Sequence, residues 1–398
     1  MIRMTRPACL NRTLAAAAPV CVLLVSCARA PVPPPLPLPP APLALSDETW
    51  VHNTLADMSL EERVGQMLML RVPGGFENYR GRAMRQLERL VDEVRVGGFV
   101  VGIGSPLDVA LKLNTLQARS RLPLVFGADL EWGAGMRLWR PTYLPYGIEA
   151  DGGTAFPFNM GVAATGDATL AELAGRVTAR EARAVGIHWV FAPVVDINTA
   201  PDNPIVNIRS YGSDPTDVGR FAAAFIRGAN AGGVLTTAKH FPGHGDTRVD
   251  SHVELPVIDA TLETLEAREL IPFRAAIAAG VSSVMLGHIA VPSLTERAVV
   301  PATLAPEIGS ELLRRRLGFQ GLVVTDAMTM GALRDTPGYS PGELAVRAVE
   351  AGADVVLSPP DPVLAHRSIV AAVRSGRVLY ARVDSSVARI LRAKARLG

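Results

Sequence analysis

Cysteine is almost missing from this chain: there are three in 398 residues, at Cys9, Cys21 and Cys27. With only 7 histidines beside them, a disulfide-stapled scaffold and a Cys-rich zinc module are both excluded. Neither sign of charge prevails, with 40 Lys and Arg against 38 Asp and Glu, so no bulk field draws in a nucleic acid. Extensive disorder is excluded by a hydrophobic content of 48% and a mean hydropathy of +0.23, which describe a globular chain with a large core. The N-terminal apolar run, Leu14 to Val25, is too short for a comfortable membrane span.

What precedes and follows that run gives it a meaning. Arg3, Arg6 and Arg12 come before it, the layout of a secretory signal. It ends in Leu24-Val25-Ser26-Cys27, which resembles the lipobox of bacterial lipoproteins, where cleavage exposes a cysteine for acylation. Cys27 is then a lipid anchor, and the alternative is a plain signal peptide with a chance cysteine. Residues 31–42 read PVPPPLPLPPAP, a polyproline spacer that would hold a domain off a bilayer. The expected organisation is a signal over residues 1–26, an acylated cysteine and linker over 27–46, and one domain over 47–398. Cleavage removes three arginines from the 40 bases, leaving 37 against 38 acids.

From Asp47 onward short apolar runs alternate with longer amphipathic ones, the pattern of parallel strands and crossover helices. Eight such runs lie at Met67-Val72, Gly98-Ile103, Leu124-Asp129, Trp189-Asp196, Val234-Phe241, Ser283-Ile289, Leu322-Asp326 and Asp354-Ser358. Helical stretches separate them, among them Gly81-Val94, Asp167-Val185, Thr216-Ala231, Ala305-Leu317 and Gly342-Ala351, and Asp384-Leu397 closes the chain. The α/β class and the count predict a (β/α)8 TIM-like barrel, in which chemistry sits where strands end. Those ends carry Asp129 with Glu131 and Arg137 after it, then Asp196, Lys239-His240, His288 and Asp326. Each alone could cap a helix or close an ion pair. Five together predict one shared polar pocket.

The densest segment is KHFPGHGDTRVDSH, Lys239 to His252. It resembles the signature of family 3 glycoside hydrolases in their β-N-acetylglucosaminidase branch. NPIVNIRSYG (Asn203-Gly212), GLVVTDAMTMGAL (Gly321-Leu333) and VDSSVARILRAKARLG (Val383-Gly398) resemble further segments of that family. The likeness spans Leu55 to Gly398.

The chemistry of the residues can be read beside that likeness. Cleaving a glycosidic bond with retention needs a nucleophile on one face and a proton donor on the other. Asp326 follows an apolar strand that can aim one carboxylate at an anomeric carbon, and the resemblance implies that role; otherwise it caps the next helix. Asp250 stands two residues from His252, where it can orient the ring and raise its pKa for proton transfer. The resemblance implies this pair as the acid/base catalyst on a loop; without the motif they read as a turn former and a surface histidine. It also assigns Asp129, Arg137, Arg209, Lys239 and His240 to the sugar subsite, with His288 a weaker candidate. Where many relatives read D-x-E-G-G-x-V-x-R, this chain has Trp132 in the glycine pair, a change expected at the pocket rim.

A zinc site is the competing reading of the same loop, since His240 and His244 are spaced like ligands and Asp250 with His252 could complete a set. Against it, Pro242-Gly243 breaks the helix that would align the two histidines, and the first strand has no His-x-His pair. No metal or cofactor is therefore expected. Family 3 β-glucosidases generally draw their acid/base carboxylate from a second domain, whereas here the dyad supplies the proton, which favours an N-acetylglucosaminidase. The expected partners are β-N-acetylglucosaminide glycans and, through the anchor, a membrane of the cell envelope. The alternatives are a non-catalytic glycan-binding lipoprotein and a β-N-acetylglucosaminide phosphorylase.

The anchor reading is tested by Cys27→Ser, which should move the protein from the membrane fraction to the soluble one while its activity in detergent is unchanged. Two or three acyl chains are ample for attachment and one is marginal. A Cys27→Ser protein that stays uncleaved and membrane-bound would make the segment a span.

Overall fold

The computed structural model describes residues 43–144, 148–150, 152–334 and 338–398. The expected signal, Cys27 and the proline-rich spacer lie outside these described residues. All eight apolar runs become parallel strands: β1 Leu68–Val72, β2 Gly98–Val101, β3 Val125–Ala128, β4 Trp189–Val190, β5 Leu235–Phe241, β6 Ser283–Leu286, β7 Leu322–Thr325 and β8 Val356–Leu357. They pair in chain order from β1 to β7, and β8 returns to β1 with Leu68 opposite Val356. A bridge from Val324 to Val355 brings β7 to the start of β8. The sheet thus closes as a (β/α)8 barrel, and its strands read as near-continuous apolar runs because both faces are covered.

Some strands are shorter than the runs that announce them. β4 ends at Val190, and Pro193 soon after has no N–H for the ladder; Val194 nevertheless bridges Lys239 one turn further on. Inside the barrel the indole N–H of Trp189 donates to Thr237 Oγ1 at 2.8 Å and Ser283 Oγ at 3.0 Å, so the one polar atom of a buried aromatic is satisfied. The crossover helices begin on side-chain caps. Asp214 accepts from the backbone of Thr216 and Asp217 ahead of helix Pro215–Ala231, and Ser59 forms a reciprocal box with Glu62 ahead of helix Leu60–Gln66.

The last helix, Tyr380–Leu397, ties the two ends of the domain together. Asp384 accepts from Arg63 at 2.6 Å, and Arg392 donates to Glu48 at 3.0 Å. Buried Asp354, just before β8, takes Ser386 at 2.6 Å and Arg389 at 3.1 Å from the same helix, together with Arg314. This helix also carries a cation into the interior: Lys394 is 3% exposed, and among the described residues its side-chain partner is Gln66 Oε1 at 2.5 Å. Burial without a carboxylate pushes its pKa down to about 7.

A lysine whose folded pKa lies below its unfolded value binds fewer protons folded than unfolded across the interval between them. Stability should therefore rise as pH climbs from about 7 toward 10, and below 7 the full cost of the buried charge is present. Urea melts at pH 7 and pH 9.5 should differ by on the order of 3 kcal/mol more in the native protein than in Lys394→Met. Equal pH slopes for the two proteins would mean that Lys394 keeps its proton by reaching water.

Candidate active site

The strand ends on the C-terminal side of the barrel surround a cavity of about 550 Å³ lined by Asp129, Glu131, Arg137, Arg209, Lys239, His240, His252 and Asp326, among others. Its floor is an ion network centred on Lys239, which is 1% exposed. The ammonium of Lys239 donates to Asp129 Oδ1 at 2.8 Å and lies 2.7 Å from Glu131 Oε1. Arg137 donates to the second oxygen of Asp129 at 2.9 Å. Arg209 grips Glu131 through two parallel bonds of 2.8 Å, the fork geometry that makes arginine the stronger partner for a carboxylate. Burial alone would raise the acids, yet Lys239 with Arg137 holds Asp129 at about 2, and Lys239 with Arg209 holds Glu131 well below the usual range. Burial would likewise lower Lys239, but the two carboxylates raise it.

Asp326 stands apart from this network. It follows β7, its N–H donates to the carbonyl of Leu286 at 3.0 Å, and its Oδ1 accepts from the backbone N–H of Ala327 at 2.7 Å. Burial acts to raise its pKa, but His240, His288, the Ala327 donor and Lys239 outweigh it and hold the carboxyl below its ordinary value. Among the described residues no side-chain cation is in direct contact with this carboxylate, which lines the cavity.

Two carboxylate–imidazole pairs flank it and differ in setting. Buried Asp196 receives the ring Nδ1 of His240 at 2.7 Å on one oxygen, and the backbone N–H groups of His240 and His244 at 3.0 and 2.8 Å on the other. An ionised carboxylate only accepts, so Nδ1 carries the proton and Nε2 of His240 is left for a ligand. In the second pair, Asp250 Oδ1 takes both the backbone N–H of His252 at 2.8 Å and its Nδ1 at 2.7 Å. The His252 ring is 58% exposed, and its free nitrogen can exchange a proton with a bound ligand. Burial opposes ionisation of Asp250, but the His252 bonds prevail and lower its pKa.

The loop carrying Asp250 and His252 is held at both ends. His244 donates from Nδ1 to Thr247 Oγ1 at 2.7 Å, while its Nε2 meets Ser251 Oγ at 3.0 Å. Burial pushes the pKa of His244 down to about 4, so this neutral ring accepts the Ser251 hydroxyl and pins the residue between the two dyad members. Beneath it Gly245 packs so tightly on the next loop that a Cβ there would lie 1.6 Å from the carbonyl of Ile197. On the far side, Gly331 N–H donates to the carbonyl of His252 at 3.1 Å and Ala332 N–H to that of Ser251 at 3.2 Å. The loop carrying Asp250 and His252 is therefore docked on the segment that follows Asp326.

Asp129, Arg137, Arg209, Lys239, His240, His252 and Asp326 thus meet in one cavity, with Asp250 behind His252. Two other strand-end residues do not reach it. Asp196 works from below through His240. His288, offered as a weaker sugar ligand, is fully buried, with Nδ1 on Thr303 Oγ1 at 2.7 Å and Nε2 on the carbonyl of Ala327 at 3.0 Å; burial lowers its pKa. Both nitrogens are spent on backbone and hydroxyl, so it holds the peptide that follows Asp326 and leaves no nitrogen for a ligand. Trp132 does not line the cavity but packs on Phe158 with ring centroids 4.7 Å apart. Glu131, which the strand-end count named without a role, closes the ion network; its separation from Asp129 by one residue was the available signal. The His240 and His244 rings lie 5.9 Å apart at 82° and face different partners, and among the described residues no three His, Cys, Asp or Glu side chains could hold a metal.

Known proteins share this arrangement of chain. A β-N-acetylglucosaminidase/β-glucosidase of Cellulomonas fimi is 36% identical over 368 residues, covering 90% of this chain and 62% of that protein. The β-hexosaminidase LpqI of Mycobacterium tuberculosis is 32% identical over 84% of this chain and 82% of its own length. Among solved structures, a family 3 β-N-acetylglucosaminidase from Paenibacillus sp. superposes with a TM-score of 0.75 at 38% identity, over 85% of this chain and 63% of that one. A β-glucoside phosphorylase, BglX, superposes with a TM-score of 0.77 at 30% identity, over 91% and 62%. The chain spans about three fifths of the length of several of these relatives. The glycosyl hydrolase family 3 N-terminal domain matches residues 59–393, and the chain belongs to that family.

Proposed function

We propose that the protein is a retaining exo-β-N-acetylglucosaminidase that removes terminal β-linked N-acetylhexosamine from cell-wall or chitin-derived fragments. The observation that carries the reading is the docking of the Asp250–His252 pair on the segment bearing Asp326, which supplies a proton donor and a nucleophile to one cavity. In the first step an oxygen of Asp326 attacks the anomeric carbon while His252 gives its Nε2 proton to the leaving oxygen, so the glycosidic bond breaks as the glycosyl ester forms. In the second, His252 takes a proton from water as that water attacks the same carbon and frees Asp326. Asp250 holds Nδ1–H throughout and stabilises the cationic ring. The ion network around Lys239 orients the sugar hydroxyls. The lipobox and proline-rich spacer support a lipid-anchored place in the cell envelope, with the catalytic domain outside the cytoplasm.

A second reading draws on the phosphorylase neighbour and on the histidine itself. A neutral acid/base repels phosphate less than a carboxylate would, so phosphate could replace water in the second step. Product analysis with and without inorganic phosphate separates the two. Cleavage of an aryl β-N-acetylglucosaminide well above the matching glucoside supports the main reading.

Asp326→Ala should abolish the glycosyl-enzyme. His252→Ala should cost on the order of 10²–10⁴ in rate on poor leaving groups, and much less in the glycosylation step for activated aryl leaving groups, which depart unprotonated. Equal losses on both in pre-steady-state bursts would make His252 a binding residue. Inversion at the anomeric carbon, read by NMR, would remove Asp326 from its role.

The docked loop makes its own demand on Gly331. A Cβ there would lie 2.3 Å from the Val253 carbonyl and 2.6 Å from that of His252, a clash with backbone that only movement of the loop relieves. Gly331→Ala should therefore mimic His252→Ala, losing rate on poor leaving groups while a competitive N-acetylglucosamine analogue still binds. If Gly331→Ala kept wild-type rates on poor leaving groups, the docked position would not be the working one.

A further inference from the structure

A second cavity of about 510 Å³ opens beside the sugar pocket and shares Arg71, Thr329 and Ser358 with it. Its wall is apolar, with Leu87, Leu90, Pro359 and Pro362 among the lining residues. The three shared residues form the neck. Arg71 stands on β1 with its side chain exposed. Ser358 is held in the left-handed region, φ 49°, at the end of β8, with its N–H on the carbonyl of Met69 at 2.7 Å. Thr329 is three residues beyond Asp326 and two before Gly331, on which the His252 loop docks.

The electrostatics of the neck are unbalanced. Arg137, Arg209 and Lys239 are each paired with Asp129 or Glu131. Among the described residues the guanidinium of Arg71 has no hydrogen bond or ion pair, and Glu77, which also lines the second cavity, does not engage it. A free cation between a hydroxyl-binding pocket and an apolar trough, lining the same cavity as His252, fits a leaving group with an anionic head and an apolar arm.

We propose that the second cavity is an aglycone subsite, and that Arg71 selects leaving groups bearing a carboxylate whose apolar arm lies along Leu87, Leu90 and the two prolines. The assignment rests on the glycosidase reading above. Inorganic phosphate has the same oxyanion chemistry but no use for an apolar trough, which is why the aglycone is favoured.

The test is a ratio. The full chain is given two aryl β-N-acetylglucosaminides of matched leaving-group acidity, 4-(2-carboxyethyl)phenyl and its carboxamide. In the native protein kcat/KM should favour the carboxylate by about tenfold, the scale of one charge-assisted contact in a partly open site. The ratio should fall to about one in Arg71→Gln, recover in part in Arg71→Lys, and shrink with added salt. A partly unfolded variant lowers both rates and leaves the ratio readable. A native ratio near one, or one that Arg71→Gln leaves intact, overturns the proposal while the glycosidase reading stands. No cleavage of either compound by the native chain overturns both. Formation of N-acetylglucosamine 1-phosphate from N,N′-diacetylchitobiose and inorganic phosphate, lost in Arg71→Gln, would assign the cation to phosphate and remove the aglycone from it.

Discussion

The burial of one ammonium group organises the site. Lys239 ends β5 inside the barrel mouth, where an unpaired charge is not tolerated, and its neighbours are built to answer it. Asp129 and Glu131 reach it from the end of β3, and because two carboxylates exceed what one lysine can neutralise, Arg137 and Arg209 close the remaining valences. Lys239 and Glu131 are its buried members, and removing either leaves the other uncompensated, at a cost of about 3–5 kcal/mol. The network is therefore a rigid floor of donors and acceptors, set before any ligand arrives.

That self-sufficiency is what frees Asp326. Because Asp129 and Glu131 absorb the nearby cations, Asp326 keeps its charge through a backbone N–H and the more distant field of His240, His288 and Lys239. A carboxylate locked in a salt bridge would be a poor nucleophile; one buried without any positive field would take up a proton. The site lies between these limits.

The same pairing of carboxylate and imidazole appears twice with opposite consequences. Asp196 and His240 are buried and bound to backbone, so His240 is fixed and suited to hold a ligand. Asp250 and His252 ride a loop secured by His244 through Ser251 and by the N–H groups of Gly331 and Ala332, so His252 reaches the cavity from the solvent side.

Much of the architecture was legible in one dimension. Eight apolar runs announced eight parallel strands because strands covered on both faces cannot alternate, and the residues closing those runs named most of the site because chemistry in such a barrel gathers at strand ends. The Asp250-Ser251-His252 spacing anticipated a dyad that the backbone turn realises within two residues. Contacts across strands were beyond that reach. Glu131 joining Arg209 and Lys239, His288 turning away to hold Ala327, and Trp132 leaving the cavity for Phe158 depend on which side chains the closed sheet brings within a few ångströms. Local sequence determines what a strand end carries; closure of the barrel decides which of those groups neutralise one another and which is left free to react, because electrostatic pairing depends on distance in space.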